Sequence, residues 1–245
     1  MIRSISKKAV QFILKWQAKA YIRIKRPYII IVAGTTSRLW VKEKVVEALK
    51  NKSLSARSNK KNFNAEIGLP LSILGLESGE GDFQKWREVI FQGFKKILNR
   101  DSGKHLVLEA AIDHPEDMKY LLGIVRPNAV ILTTITMIYQ ENFDDLDDIQ
   151  VEYKTLVEAL PQDGVLILNN DDERVRVLSR GYKGKVISYG IDRPSDLNAL
   201  DIKKVVDGQE FQIVEKHEKY QRKISRFGRH HVMAELVKVA VEREL

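Results

Sequence analysis

The chain has 245 residues, 44% of them hydrophobic and 30% charged. That is the balance of a folded globular protein with one large or two small domains, not of a fibrous or disordered chain. The absence of cysteine excludes disulfides, zinc–thiolate centres and thiol catalysis, and no apolar run reaches the ~18–20 residues of a membrane-crossing helix. The formal charge of +8 is concentrated at one end: residues 1–27 carry eight Lys and Arg and no acid, while the other 33 basic residues balance the 33 acidic ones.

In chain order, Ile2, Ile5, Ala9, Phe12, Ile13, Trp16 and Ala20 recur at helical spacing with lysines between them. The pattern predicts a basic amphipathic helix over about 3–24, ended by Pro27. The run does not read as a signal peptide, because lysines interrupt it and no small-residue cleavage site follows. Two roles remain open for it. It lies on an anionic membrane, with Phe12 and Trp16 inserted and Lys7, Lys8, Lys15 and Lys19 at the headgroups, or its stripe packs on the following domain.

After Pro27, continuous apolar runs alternate with amphipathic ones. Strands are predicted at 28–33, 105–111, 129–135, 164–170 and 185–190. Helices are predicted at 40–50, within 62–76, and at 83–98, 115–125, 147–159 and 171–180. In 83–98 the stripe is Phe83, Trp86, Ile90, Phe94 and Ile97. This alternation implies an α/β fold, a mostly parallel sheet covered by helices on both faces. From 198 to 227 the period changes to two, with "DG" at 207–208, so antiparallel hairpins are expected. A last helix spans about 230–244. The organisation expected is a basic helix over 1–26 and one α/β domain over 27–245.

The segment "VAGTTSRLW" (32–40) sits between the first strand and its helix, where a phosphate-binding loop belongs. Such a loop points backbone N–H groups and a helix N-terminus at the anion, with a lysine on the phosphates and a Ser or Thr on Mg²⁺. Here Gly34, Thr35, Thr36 and Ser37 suit the turn, but Arg38 stands at the lysine position and Leu39 at the hydroxyl position. Arg38 offers a planar fork rather than a point charge, and Leu39 cannot ligate a metal. A plain strand–turn–helix connection remains the competing reading.

Five segments follow one another along the chain: "RPYIIIVAGTTSRLWVKEKV", "NFNAEIGLPLSIL", "LVLEAAIDHPEDMKYLLGIVRPNAVILTTI", "LPQDGVLILNNDDERV" and "GRHHVMAELVKVAV". Their order resembles the central, ATP-binding domain of the Mur ligase family, which joins amino acids to the UDP-linked precursor of peptidoglycan, with its D-alanyl-D-alanine-adding branch the most similar. The resemblance implies a P-loop-like nucleotide site using ATP and Mg²⁺. It implies Glu109 as a metal ligand, and Asn169, Asp171 and His230 on the adenine and ribose side. Without the resemblance, Glu109 reads as a strand-end rim acid, "NNDD" as a helix cap and His230 as a helix-start residue.

The departures from the family bear on function. Tyr139 or Gln140 stands near the expected metal histidine. Tyr153 stands where the family has a modified lysine, and Lys154 is one residue late, which turns its side chain by about 100°. His231 and Ala234 replace family asparagines. The N-terminal UDP-sugar domain and the C-terminal amino-acid domain are expected to be absent, the basic helix standing in for the first. Three functions follow. One is a catalytically impaired homologue with a binding or scaffolding role beside cell-wall enzymes. Another is an ATP-dependent amide ligase completed by a separate C-terminal domain. The last is a peripheral membrane protein acting through residues 1–26. The expected location is the cytoplasm or the inner membrane face. Nucleic acid is not an expected partner, because the basic charge is confined to one helix.

Overall fold

The computed structural model describes residues 2–58, 65–80, 82–99, 105–137, 142–216 and 218–245. In chain order the elements are α1 (Ile2–Lys25), β1 (Tyr28–Ala33), α2 (Arg38–Asn51), β2 (Ala56–Ser58), α3 (Ala65–Leu74), α4 (Phe83–Leu98), β3 (His105–Ala110), α5 (Asp117–Leu122) and β4 (Ala129–Leu132). They continue with α6 (Leu146–Glu158), β5 (Val165–Asn169), α7 (Glu173–Val177), β6 (Lys185–Gly190), β7 (Leu197–Val205), β8 (Gly208–Glu215), β9 (Glu218–Ile224) and α8 (Arg229–Glu244).

The nine strands among the described residues form one sheet in the order β2-β3-β1-β4-β5-β6-β7-β8-β9. Pairing is parallel from β2 through β7 and antiparallel over β7–β8–β9. The expected hairpins therefore extend the main sheet. Alternate residues of each central strand feed two cores, as a doubly covered sheet requires. On one face Ile29, Ile31, Leu106, Leu108, Leu132 and Leu168 meet α1, α3, α5 and α6. On the other, Ile30, Val32, Val107, Ile131 and Ile167 meet α2 and α8. Buried Glu235 ties α8 to its neighbours, with Lys44 of α2 at 2.8 Å and Arg222 of β9 at 3.3 Å. The sheet ends on three-residue β2 at one side and on β9, with Lys219, Arg222 and Lys223, at the other.

Three expectations need correction. The α1 stripe is misphased: Leu14, Gln17, Ala18 and Tyr21 are buried, whereas Phe12 is 73% and Trp16 54% exposed. The cause is Gln17, which reads as solvent-facing but packs over Gly93 of α4 and donates to the Ile90 carbonyl at 2.8 Å. In α4, Val89 and Ile97 are buried while Phe94 faces outward. The "DG" pair is not the turn centre either. Val206 and Asp207 form the turn and Gly208 opens β8 at φ 145°, where a Cβ would lie 1.9 Å from the Ile224 carbonyl oxygen. The edge strand β2 is an addition, as its three residues carry no apolar run.

Candidate functional site

The first turn after β1 is folded against β4 and its extension. Gly34 has φ 124°, and a Cβ there would sit 2.1 Å from Thr133 Oγ1, so only glycine fits. The Thr35 N–H donates to the Thr134 carbonyl at 2.7 Å. Thr35 Oγ1 bonds the same carbonyl at 2.9 Å and accepts from the Thr136 N–H at 2.8 Å. Thr133 Oγ1 lies 2.7 Å from the Thr36 carbonyl oxygen. These groups are spent on holding the turn closed. Ser37 is left-handed at φ 64° and its side chain does not cap α2, so the first N–H groups of that helix remain the anion-attracting element of the turn.

Next to the turn, the parallel register sets Val32 beside Glu109 of β3. Arg38 Nε reaches Glu109 Oε1 at 3.0 Å and Lys42 Nζ reaches Oε2 at 3.0 Å. The three side chains are 13%, 4% and 5% exposed in the order Arg38, Lys42, Glu109. Arg38 also donates to the Gly34 carbonyl. Arg38, at the phosphate-lysine position, is thus turned down onto the carboxylate that the family resemblance assigned to metal. With both Glu109 oxygens held by cations, this donor set does not suit Mg²⁺. Among the described residues, no group of three or more His, Cys, Asp or Glu converges on a point. Tyr139 and Gln140 lie outside the described residues. Tyr153 is wholly buried in the core, and Lys154 points to solvent beside Glu158 at 3.8 Å, so neither takes the place of the modified lysine.

At the neighbouring strand end, Asn169 closes β5. Its Nδ2 donates to Thr134 Oγ1 at 3.3 Å and its Oδ1 accepts the Asp171 N–H at 3.0 Å. His230 opens α8. A cavity of about 180 Å³ lies between them, lined among others by Ser37, Thr134, Asn169, Tyr189, Arg229 and His230. The ends of β1, β4, β5 and α8 therefore bring Ser37, Asn169 and His230 together. Asp171 is not part of that lining. Its carboxylate accepts the N–H groups of Ile191 at 2.8 Å, Asp192 at 3.0 Å and Arg193 at 2.9 Å, fastening the turn between β6 and β7. A larger hollow of about 670 Å³ beside α6 and α7 includes none of the loop residues.

Sequence reasoning missed an aromatic cluster beside this cavity. Trp40 packs edge-on to His231 with ring centroids 4.7 Å apart, the His230 ring lies tilted at 4.1 Å from that of His231, and Arg226 lies 4.6 Å over the Trp40 ring. Burial, followed by the positive fields of His230, Arg226 and Lys44, pulls the His231 pKa down to about 4. The adjacent histidines were visible in the sequence, but their meeting with Trp40, from the opposite end of the chain, was not.

The geometry matches a known architecture. A family profile described as the Mur ligase middle domain covers residues 32–241. The UDP-N-acetylmuramoyl-tripeptide–D-alanyl-D-alanine ligase of Haemophilus influenzae is 20% identical over 218 residues, covering 88% of this chain and 42% of the relative. The Bacillus subtilis enzyme of the same name is 22% identical over 227 residues, covering 93% and 43%. The MurF ligase of Thermotoga maritima, solved in complex with ADP, superposes with a TM-score of 0.77 at 19% identity, over 96% of this chain and 49% of that one. The chain spans under half the length of these relatives. A profile matched along most of the sequence, on a sheet that superposes on a solved Mur ligase, shows that the chain belongs to the Mur ligase family and corresponds to its middle domain.

Proposed function

We propose that this domain keeps a nucleoside-facing cavity but has lost phosphate activation, and that it serves peptidoglycan-precursor synthesis by binding or scaffolding rather than by turning over ATP. The observation that carries this reading is the Glu109 cluster, in which one carboxylate holds both Arg38 and Lys42 at 3.0 Å. Phosphoryl transfer depends almost wholly on positioning and charge neutralisation. Losing one preorganised electrostatic contact costs roughly 2.7–4 kcal/mol, by analogy with a lost oxyanion donor. Here the lysine ammonium, the metal-holding hydroxyl and a free carboxylate are replaced or engaged together.

Cell-wall enzymes are the partners this reading offers, with the cytoplasm as its location, whereas a separate C-terminal ligase domain is the partner of the alternative, a working amide ligase. The test is calorimetry with ADP and ATP, with and without Mg²⁺, beside an assay of ADP release. Binding that Mg²⁺ does not strengthen, with no hydrolysis above background, is expected. Metal-dependent hydrolysis at ordinary enzyme rates, alone or after mixing with a C-terminal ligase domain, would instead mark a working amide ligase.

A further inference from the structure

Two helices, α1 and α4, lie side by side in the layer over β1 and β3. Gln17 meets the Ile90 carbonyl and Lys25 meets the Asn99 carbonyl, so the two run in the same direction. Each presents an outward stripe of the same composition. At 3.6 residues per turn, Lys8, Phe12, Trp16, Lys19 and Arg23 share one face of α1, opposite its buried Leu14, Ala18 and Tyr21. On α4 the outward line runs through Arg87, Phe91, Phe94, Lys95 and Leu98. The stripes touch, with the Trp16 and Phe94 rings 6.1 Å apart. Phe12 is 73%, Trp16 54%, Phe91 59%, Phe94 42% and Leu98 82% exposed. Single exposed apolar residues are ordinary, but five on two adjoining helix faces form a patch, and patches mark interaction surfaces.

The charge distribution indicates the occupant. Residues 1–26 and α4 together hold 12 Lys and Arg against one acid, Glu88, leaving 29 basic against 32 acidic residues elsewhere. All of the net positive charge therefore belongs to this two-helix layer. We propose that the α1–α4 face docks on a bilayer surface bearing anionic headgroups. Phe12, Trp16, Phe91 and Phe94 enter the headgroup–acyl boundary, and Lys8, Lys19, Arg23, Arg87 and Lys95 meet the phosphates around them. The proposal differs from a lone basic N-terminal helix because α4 supplies half of the apolar contact. It is independent of the nucleotide cavity, which none of these residues lines.

Flotation of the full chain with phosphatidylcholine vesicles, and with vesicles enriched in phosphatidylglycerol, tests it. Binding to the anionic vesicles alone is expected, falling as salt rises. The pair Lys19→Glu and Arg23→Glu should lower partitioning at least about 25-fold, at roughly fivefold per cation. Phe91→Ser with Phe94→Ser, on α4, should also release the protein while its circular dichroism is unchanged. Lys203→Glu with Lys204→Glu, exposed on β7, removes the same charge and should leave binding intact. Absence of binding to anionic vesicles, or equal losses in the β7 control, would overturn the proposal. A soluble dimer dissolved by the Phe91 and Phe94 substitutions, with no vesicle binding, would assign the face to a second copy instead.

Discussion

Replacing Glu109 with Gln separates a closed loop from an open metal site. The substitution keeps the side-chain shape and removes the charge. Arg38 and Lys42, now 3.0 Å from the carboxylate and 13% and 4% exposed, would lose the negative charge that neutralises them in a low-dielectric layer. Removing one partner of a buried ion cluster costs about 3–5 kcal/mol, because the remaining charge is uncompensated. In a chain of this size each kcal/mol moves the melting midpoint by about 2–4 °C, so a fall of roughly 6–20 °C is expected. Urea unfolding at pH 7, followed by circular dichroism, should show a lower midpoint at unchanged slope. The triple change Arg38→Leu, Lys42→Met and Glu109→Leu should recover most of the loss, since replacing an entire buried cluster by apolar groups is often neutral or stabilising. If Glu109 were a lone carboxylate waiting for a cation, Glu109→Gln would be neutral or stabilising. A Glu109→Gln protein within about 0.5 kcal/mol of wild type would refute the closed-loop reasoning.

Gly34→Ala should destabilise by more than about 2 kcal/mol, read by thermal melting, because the new methyl would meet Thr133 Oγ1 at 2.1 Å and the backbone is held at φ 124°. Stability should fall between pH 6.5 and about 4, in part through His231, whose pKa is held down to about 4 from an ordinary 6.5. In that window the unfolded chain takes up the proton before the folded one, so this contribution is complete above pH 6.5 and is lost on acidification. After allowance for solvent screening it is on the order of 1–2 kcal/mol. His231→Gln should flatten that part of a urea-midpoint profile against pH, and an unchanged slope would dismiss the contribution. Asp171→Asn should cost about 1–3 kcal/mol and raise hydrogen exchange at Ile191, Asp192 and Arg193, whose N–H groups its carboxylate accepts.

The parallel core was legible in the sequence because strands buried on both faces read as unbroken apolar runs. "YIII", "HLVLEA" and "GVLILNN" all became strands of the sheet. What escaped reading had local physical causes. β2 is too short and polar to show a pattern. The buried face of α1 contains a glutamine matched to a glycine 76 positions away, which no periodicity reports. Near the loop, Gly34 follows β1, Asn169 ends β5 and His230 lies in the first turn of α8, placements that follow from the strands and the last helix read in the sequence. The resemblance pointed to Glu109 and Arg38 separately. Their pairing depends on the β1–β3 register and on the direction taken by the first turn of α2, which only the folded chain displays.

The two rims of the sheet bear on how such domains coexist at high concentration. Among the described residues one margin is too brief to template another strand, and the other is lined by ammonium and guanidinium groups that would repel a like margin drawn alongside. Lateral growth of one sheet onto another is thereby discouraged at both ends. Encounters between molecules are left to the helical layers.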